Sequence, residues 1–352
     1  MLFTASTVKD TLPNIQRFVA GNLAGGVDHL FVFLDAPDPE VRAFLEGHPN
    51  VTCVRTDKTW WRGDRPEQLN VRQRINANLT KALLSGVEGA DWLFHIDADE
   101  IAQIDRAALA RVPADTRVVR LAPLEAVSRK HWDGDPTWFK RLLGKNDLIL
   151  LQTLGVLDKP SNGAYFHGHV DGKTGIRPGS DLWLTLHQAV DDQGREQEAW
   201  NDEGLRLLHY ESFSGEDFVR KWTSILAAGP TPSFRPVREP TAIALRTLIG
   251  KGLTEEQAAP YLMRIFERTT EDDFETLRGL GLLEEIDPRQ GVHVPESLPP
   301  GAREQIERLL ARLTQEPKRI FHPKQPAGED RKPLERATGA PVRGGRRFLR
   351  RS

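Results

Sequence analysis

A single cysteine, Cys53, is all the thiol chemistry the chain has. No disulfide framework can be built from it, which excludes the small cross-linked secreted folds and leaves a buried thiol in a reducing compartment as the expected state. Long apolar runs are also missing: nothing approaches the ~20 consecutive apolar residues that a membrane span requires. Met1-Leu2-Phe3-Thr4 enters an expected strand directly, with no basic stretch followed by an apolar one, so no secretory signal is read there. No internal repeat is found. These absences point to a cytoplasmic protein.

A strong net charge is lacking too. The formal value is −2, but Lys318 to Ser352 holds 11 Lys and Arg against 3 Asp and Glu, a local +8 that leaves −10 for the rest. This end of the chain is rich in Pro, Gly and Arg, so disorder is expected. A solvated tail is the plain reading; peripheral contact with the anionic inner face of a membrane is the functional one. No nucleic-acid partner is expected. What remains is ordinary for a soluble globular protein: 352 residues, 39% hydrophobic and 28% charged, enough for one large domain or two modest ones.

Four short apolar runs alternate with helical patterns in the first third. Strands are predicted at Leu2–Ser6, His29–Leu34, Val51–Arg55 and Trp92–Ile96, and helices from Asp10 to Leu23, Glu40 to Leu45 and Glu67 to Leu84. This alternation predicts an α/β sheet, parallel in this part, with helices on both faces. In such sheets ligands bind beyond the carboxyl ends of the strands. Beyond Asp105 the pattern changes, with strands expected at Val118–Leu121 and Leu148–Leu151. Strands and turns follow from Tyr165 to Arg177, Trp183 to His187 and Leu205 to Tyr210. A helix is expected from Glu216 to Leu226, a proline-rich linker from Thr231 to Pro240, and helices from Thr241 to Glu285.

The last of the four strands runs straight into charge. Asp91 to Ile101 reads Asp-Trp-Leu-Phe-His-Ile-Asp-Ala-Asp-Glu-Ile, so an apolar approach stops at Asp97, Asp99 and Glu100. On an extended segment Asp97 and Asp99 point to the same side and can share one hard cation, Mn²⁺ or Mg²⁺. A strand end followed by a solvated turn is the bland alternative.

These residues bring a family into view. Thr7-Val8-Lys9-Asp10, Gly26-Val27-Asp28-His29 with Phe31 to Asp35, the Arg72-Gln73 pair and Asp97-Ala98-Asp99-Glu100-Ile101 resemble the opening of the GT-A-fold glycosyltransferases of family 2 type, including relatives grouped with family 92. Further on, Gly172-Lys173-Thr174-Gly175-Ile176-Arg177-Pro178, His187, His209-Tyr210 and Lys221 are similar to that family in order. The likeness covers roughly Leu2 to Trp222. It departs at Asp10, where relatives often have Asn followed by Glu, and in the Trp-rich segment from Lys130 to Lys145, which has no counterpart and is assigned to acceptor recognition.

The resemblance implies a Rossmann-like mixed sheet with a helical C-terminal extension. It implies a catalytic domain over 1–228, with a nucleotide-binding half 1–105 and an acceptor-binding half 106–228, then a helical region 229–317 and the basic tail 318–352. It further implies a hexosyltransferase that moves a sugar from a nucleotide-diphosphate donor, a UDP-sugar by frequency, to a glycan or lipid-linked acceptor in surface polysaccharide biosynthesis, with inversion. Asp97, Asp99 and His209 would hold the metal. Thr4, Ser6 and Asp35 would read base and ribose, with Gln73, Lys173 and Arg177 completing the donor site. The general base stays open among Glu100, Glu211, Asp191 and Glu125, since that role is decided by geometry. Trp60, Trp61, Trp132 and Trp138 stack on sugars or fill the core; Asp10 reads as a helix cap.

Two other classes compete. A metal-dependent phosphoesterase would use further His and Asp ligands, and His167-Gly168-His169 with Asp171 offers such a cluster. A non-catalytic nucleotide- or carbohydrate-binding protein would tolerate a degenerate acidic motif, whereas this one is intact.

Overall fold

The computed structural model describes residues 1–36, 38–227, 239–291 and 293–323. They form two compact units. Of the described residues, the first takes in those of Met1–Ala122, Gly172–Leu207 and Arg289–Pro323, and the second those of Pro123–Asp171 and Leu208–Pro288. The division differs from the expected boundary at residue 228, because each unit is assembled from segments far apart in sequence. The expected linker lies mostly outside the described residues, as does the tail from residue 324.

The four apolar runs are strands β1 (Leu2–Val8), β2 (His29–Leu34), β3 (Val51–Arg55) and β4 (Trp92–His95). Between them lie helices α1 (Leu12–Ala24), α2 (Pro39–Gly47), α3 (Lys58–Trp61) and α4 (Leu69–Leu84). The next elements are β5 (Glu100–Ile104), α5 (Arg106–Ala110), β6 (Val118–Ala126), β7 (Trp138–Arg141), α6 (Lys145–Thr153) and α7 (Asn162–Tyr165). Strands β8 (Lys173–Ile176), β9 (Trp183–Leu184), β10 (Ala189–Val190) and β11 (Leu205–His209) follow. The helices α8 (Gly215–Ala227), α9 (Glu239–Ile249), α10 (Glu255–Thr269) and α11 (Phe274–Gly279) come next, then β12 (Leu283–Glu285) and α12 (Ala302–Thr314). Among the described residues no helix is long and apolar enough to cross a membrane.

In the first unit β1 runs parallel to β2 and to β4, and β2 parallel to β3. The other edge is antiparallel: β8 pairs with β4 through Leu93↔Ile176 and Phe94↔Gly175, and β6 pairs with β8. The unit is therefore a mixed α/β layer structure, parallel where strands and helices alternate and antiparallel beyond β4. Gly175 is needed at that join because the Phe94 ring lies against it, and a Cβ there would run into the ring. Strand alternation sorts the core. Phe3, Ala5, Phe31 and Phe33 pack under α4 and α12, while Leu2, Val8, Leu30 and Val32 pack under α1, α2 and α5. Each such fully buried large side chain contributes roughly 1.5–3 kcal/mol. Trp60 and Trp61 belong to the first of these cores, as large aromatics usually do. Asp10 accepts from the Thr11 N–H and the Asn14 amide, bracing the first turn of α1.

The first residues of the expected tail pack into this unit. Lys318–Phe321 forms a short 3-10 helix in which Lys318 and Phe321 are buried. The Lys318 ammonium donates to the carbonyls of Leu313, Thr314 and Glu316 at the end of α12. Composition alone assigns these residues to a disordered tail, because it does not register which few of them are packed.

In the second unit, Leu124–Ala126 of β6 pairs antiparallel with β7, and β7 with β12. Leu148 and Leu151, expected in a strand, lie on α6 and face a core with Leu143, Tyr165 and Phe166. Four consecutive apolar residues do not distinguish a short buried strand from a helix. The opposite error applies to Leu283–Glu285, a strand inside the region expected to be helical. Phe218 and Trp222 of α8 meet α9 and α10 in a separate core. The Trp-rich segment packs against α11: Trp132 and Trp138 each meet Phe274 edge-on, with Arg129 over Trp132 and Arg278 over Trp138.

Candidate functional site

The first half of α4 explains how the carboxyl ends of the strands are furnished. Its inward face is polar: Arg72, Gln73, Asn76 and Asn78 are all buried. Arg72 reaches Asp35 beyond β2, with Nη2 to Oδ2 at 2.9 Å. Asn76 donates to the Thr7 hydroxyl of β1 at 2.8 Å. Gln73 donates to Asp97 beyond β4 at 2.5 Å. One helix turn therefore serves three strand ends, and buried polar groups of this kind must be satisfied.

The acidic segment after β4 is a closed turn. The Glu100 N–H donates to the Asp97 carbonyl at 3.1 Å, and the Asp97 N–H donates to Glu100 Oε2 at 2.6 Å. The Glu100 side chain is folded back and fully buried, which makes it an anchor of the turn. Lys173, the first residue of β8, enters from the antiparallel side. Its ammonium, itself fully buried, lies 2.7 Å from Asp97 Oδ2 and 3.5 Å from Glu100 Oε2. Burial alone would depress the Lys173 pKa, but the charges of Asp97 and Glu100 outweigh it and hold the pKa above the ordinary value. His95, just before the turn, is pushed down to about 4 by burial and then by Lys173, so its ring is neutral. Asp97 keeps a 29% exposed side chain, and Asp99 is half-buried. The bland reading of a solvated strand end does not describe this turn.

Beside it, at the ends of β2 and β3, opens a cleft of about 670 Å³ lined by Asp35, Asp38, Arg42, Arg55, Asp57 and Arg65 among others. Asp35 is held from several sides. Arg65 contacts both its oxygens at 3.0 Å, Arg72 contacts Oδ2, and the Thr56 hydroxyl contacts Oδ1 at 3.1 Å. Its side chain is 4% exposed and that of Arg72 8%, so of this group it is the Arg65 guanidinium that faces the cleft. Arg65 carries no sequence signal; Arg72 does, beside Gln73.

Several expected site residues sit elsewhere. Thr4 and Ser6 are buried within β1, on the Leu2 and Val8 side of the sheet, and their hydroxyls have no partner among the described residues. They face α1 and not the strand ends. The sequence puts Arg177 beside Lys173 in a glycine-bearing turn, but Lys173 to Ile176 is a strand. Four residues of extended chain separate the two by ~13 Å. Arg177 lies over the Trp92 ring at the start of β4, 4.4 Å from its centroid, and donates to the Thr116 carbonyl. Asp191 is spent on the turn after β10. It accepts from the backbone of Gln193 and Arg195, and the Arg195 guanidinium lies at 2.8 Å. Its pKa is lowered first by the Arg195 N–H, which does not suit a general base.

The remaining candidates belong to the second unit. Glu125 is fully buried, 3.0 Å from the Lys140 ammonium, and accepts from the backbone N–H groups of His167 and Gly168. Burial would raise its pKa, but Lys140, His167 and His209 lower it below the usual carboxylate range. It is a structural carboxylate, satisfied on all sides. Asp272 joins the same network, accepting from Lys140 and from the Ser128 N–H and lying 3.2 Å from the His167 ring. The rings of His169 and His209 stack at 4.8 Å. His209 Nε2 lies 3.8 Å from Glu211 Oε2, and that oxygen takes the Lys221 ammonium at 2.8 Å. Glu211 is thus ion-paired and almost wholly buried.

No family model matches the sequence, and no curated protein matches it. Among solved structures, the chain is similar to HddC from Yersinia pseudotuberculosis at 10% identity, covering 62% of this chain and 97% of that one, with a TM-score of 0.31. It is also similar to the galactosyltransferase LgtC in complex with donor and acceptor sugar analogs at 14% identity and a TM-score of 0.25. That match covers 51% of this chain and 58% of LgtC. An active-site mutant of LgtC matches at 15% identity, with a TM-score of 0.25 and 57% of its length covered. Likenesses at these scores carry neither a family nor an activity to this chain.

Proposed function

We propose that the protein is a metal-dependent glycosyltransferase of GT-A type that uses a nucleotide-diphosphate sugar. The observation that carries the reading is the acidic turn at the carboxyl end of β4. It gathers three carboxylates, Asp97, Asp99 and Glu100, within four residues, with the Lys173 ammonium among them. Clustered carboxylate oxygens suit a hard divalent cation. Asp97 and Asp99 keep exposure, which suits Mn²⁺ or Mg²⁺, ions that take one or two carboxylates and complete their shell with water and substrate phosphates. Asp97 and Asp99 would hold the ion, which as a Lewis acid supplies stabilisation of the diphosphate leaving group. Gln73 and Lys173 fix the orientation of Asp97, and Glu100 fixes the turn. The neighbouring cleft, with its guanidinium-lined wall, takes the nucleoside end of the donor.

In the reaction the acceptor hydroxyl oxygen bonds to the anomeric carbon while the bond from that carbon to the diphosphate breaks. The electron pair leaves on the nucleoside diphosphate and the hydroxyl proton goes to a base. A glycan or lipid-linked acceptor and an inverting course complete the reading. A metal-dependent phosphoesterase is the second reading, favoured by the stacked His169 and His209 with Glu211 nearby.

Thermal unfolding with a panel of nucleoside diphosphates, with and without Mn²⁺, tests both. The first reading expects stabilisation by UDP plus Mn²⁺ that Asp99→Ala abolishes. It fails if no nucleotide gives a response, and the second gains if a phosphate ester is hydrolysed instead.

A further inference from the structure

The stretch between β3 and α4 forms one wall of the cleft, and it is anchored at both ends. At its start Asp57 caps the one-turn helix α3 by accepting from the Trp60 N–H. At its exit Arg72 of α4 donates to the carbonyls of Pro66 and Glu67. Between these anchors Arg62 takes a left-handed backbone conformation, φ 50°, and Gly63 follows at φ 81°. Glycine adopts that conformation freely; a residue with a long side chain keeps it only where its surroundings impose it.

The surroundings that impose it are residues 315–319, just after α12. Arg62 Nη1 donates to the Gln315 carbonyl at 2.6 Å and to Gln315 Oε1 at 3.2 Å. The Arg319 guanidinium pairs with Asp64 at 2.6 Å, from 255 residues away in sequence. The Lys318 ammonium lies 4.6 Å from the centroid of the Trp60 ring, and Trp60 packs in turn on Phe33 of β2. Positions 60, 62 and 64 are thus each held by one short segment. The next residue is Arg65, whose guanidinium contacts both oxygens of Asp35 and faces the cleft. The side chains of Arg319 and Asp64 are 47% and 58% exposed. An ion pair this open adds little to folding, so its effect is local, on the stretch that carries Arg65.

We propose that Gln315 and Arg319 are positioning residues of the cleft. They clasp the β3–α4 stretch from outside, which keeps Arg65 on Asp35 and gives the wall the shape that receives a nucleoside. The inference rests on the proposed reading of the cleft and makes donor binding depend on a segment that does not touch the donor.

Charge reversal tests it. Arg319→Glu sets two carboxylates against each other, and the swap Asp64→Arg/Arg319→Glu restores the attraction with the signs exchanged. Hydrogen exchange of the full chain without ligand reads the clasp; calorimetric titration with UDP in the presence of Mn²⁺ reads the cleft. Arg319→Glu should speed exchange over residues 57–65 at least about fivefold. It should weaken UDP binding at least about fivefold, the lower end of coupling between separate sites, with a melting temperature within about 2 °C of wild type. The swap should return both to wild-type values, which a general loss of stability would not do. If Arg319→Glu unfolds more than this, Arg319→Gln, which removes the charge without adding repulsion, replaces it. Unchanged exchange overturns the clasp, and faster exchange with unchanged UDP affinity overturns the positioning of Arg65. A wild type that binds no nucleoside diphosphate refutes the reading of the cleft and the positioning with it. That failure is told apart from the clasp's own by the exchange measurement, which needs no ligand.

Discussion

Replacing Lys173 by Met keeps the length of the side chain and removes its charge. Glu100, fully buried, and Asp97, 29% exposed, then face each other without that counter-charge. Removing one partner of a buried pair costs about 3–5 kcal/mol. The openness of Asp97 and the longer approach to Glu100 place Lys173→Met at the lower end, about 3 kcal/mol. For a protein of this size that is a fall of about 4 °C in melting temperature. The dependence on pH is diagnostic. The Lys173 pKa is raised in the folded state, so its contribution is complete below the unfolded value of about 10.4 and is lost only as pH rises through the folded one. The wild type thus keeps this contribution throughout the neutral and acid range. In the variant, protonating either abandoned carboxylate relieves their repulsion, so the deficit should shrink as pH falls. Calorimetry of both proteins across that range measures it. A fall under about 2 °C, or a deficit indifferent to pH, would show that Asp97 and Glu100 are not held by Lys173 as described.

His95 gives a second pH handle. Its pKa is driven from 6.5 to about 4 by burial and then by Lys173, so stability present above 6.5 is lost as pH falls through that window. At about 1.4 kcal/mol per pH unit the loss approaches about 3 kcal/mol; His95→Asn should flatten the slope, and an NMR titration placing the ring near its ordinary value would refute the account. Arg177→Gln should cost about 0.5–2 kcal/mol of stability through the lost Trp92 contact and leave the UDP and Mn²⁺ response intact. A lost response in a stably folded variant would return Arg177 to the donor site.

The parallel half of the first unit is legible in the sequence because each strand there is a bounded apolar run and the two long helices carry apolar residues at helical spacing, whereas the one-turn helix α3 is too short to show a period. Trp92 to His95 is wholly buried, so period-2 alternation is absent, yet length and flanking polarity still identify a strand. Leu148 to Leu151 defeats the same rule: Ile149 and Leu150 are apolar although exposed, so four apolar residues in a row carry no helical period. β5 and β12 are short, and β12 is set by pairing with Lys140, Phe139 and Trp138 of β7, far away in sequence. Arg177 fails for another reason. Nearness in sequence is not nearness in space, and a strand turns four residues into the width of a site. Strand membership alone does not bring Thr4 and Ser6 to the site; Thr7, at the other parity and nearer the carboxyl end of β1, is the residue that reaches a polar partner from α4.

The acidic turn is legible as chemistry but not as architecture. Asp97, Asp99 and Glu100 stand nearly in a row, and a row of carboxylates would by itself be destabilising wherever it is buried. What makes it tenable is contributed from two distant segments, Gln73 on α4 and Lys173 on β8, and neither contact is announced by a local pattern. Leu69, Ile75, Leu79, Leu83 and Leu84 are the positions that identify α4 as a helix. Its functional information lies in the buried polar positions between them, which weaken its amphipathic pattern. Arg72, Gln73 and Asn76 fall within one turn and a residue of each other, so a single rotation of α4 would displace Asp35, Asp97 and Thr7 together. The turn is therefore as rigid as the helix that faces it, and its carboxylates are held against their own repulsion by the helix and the strand jointly.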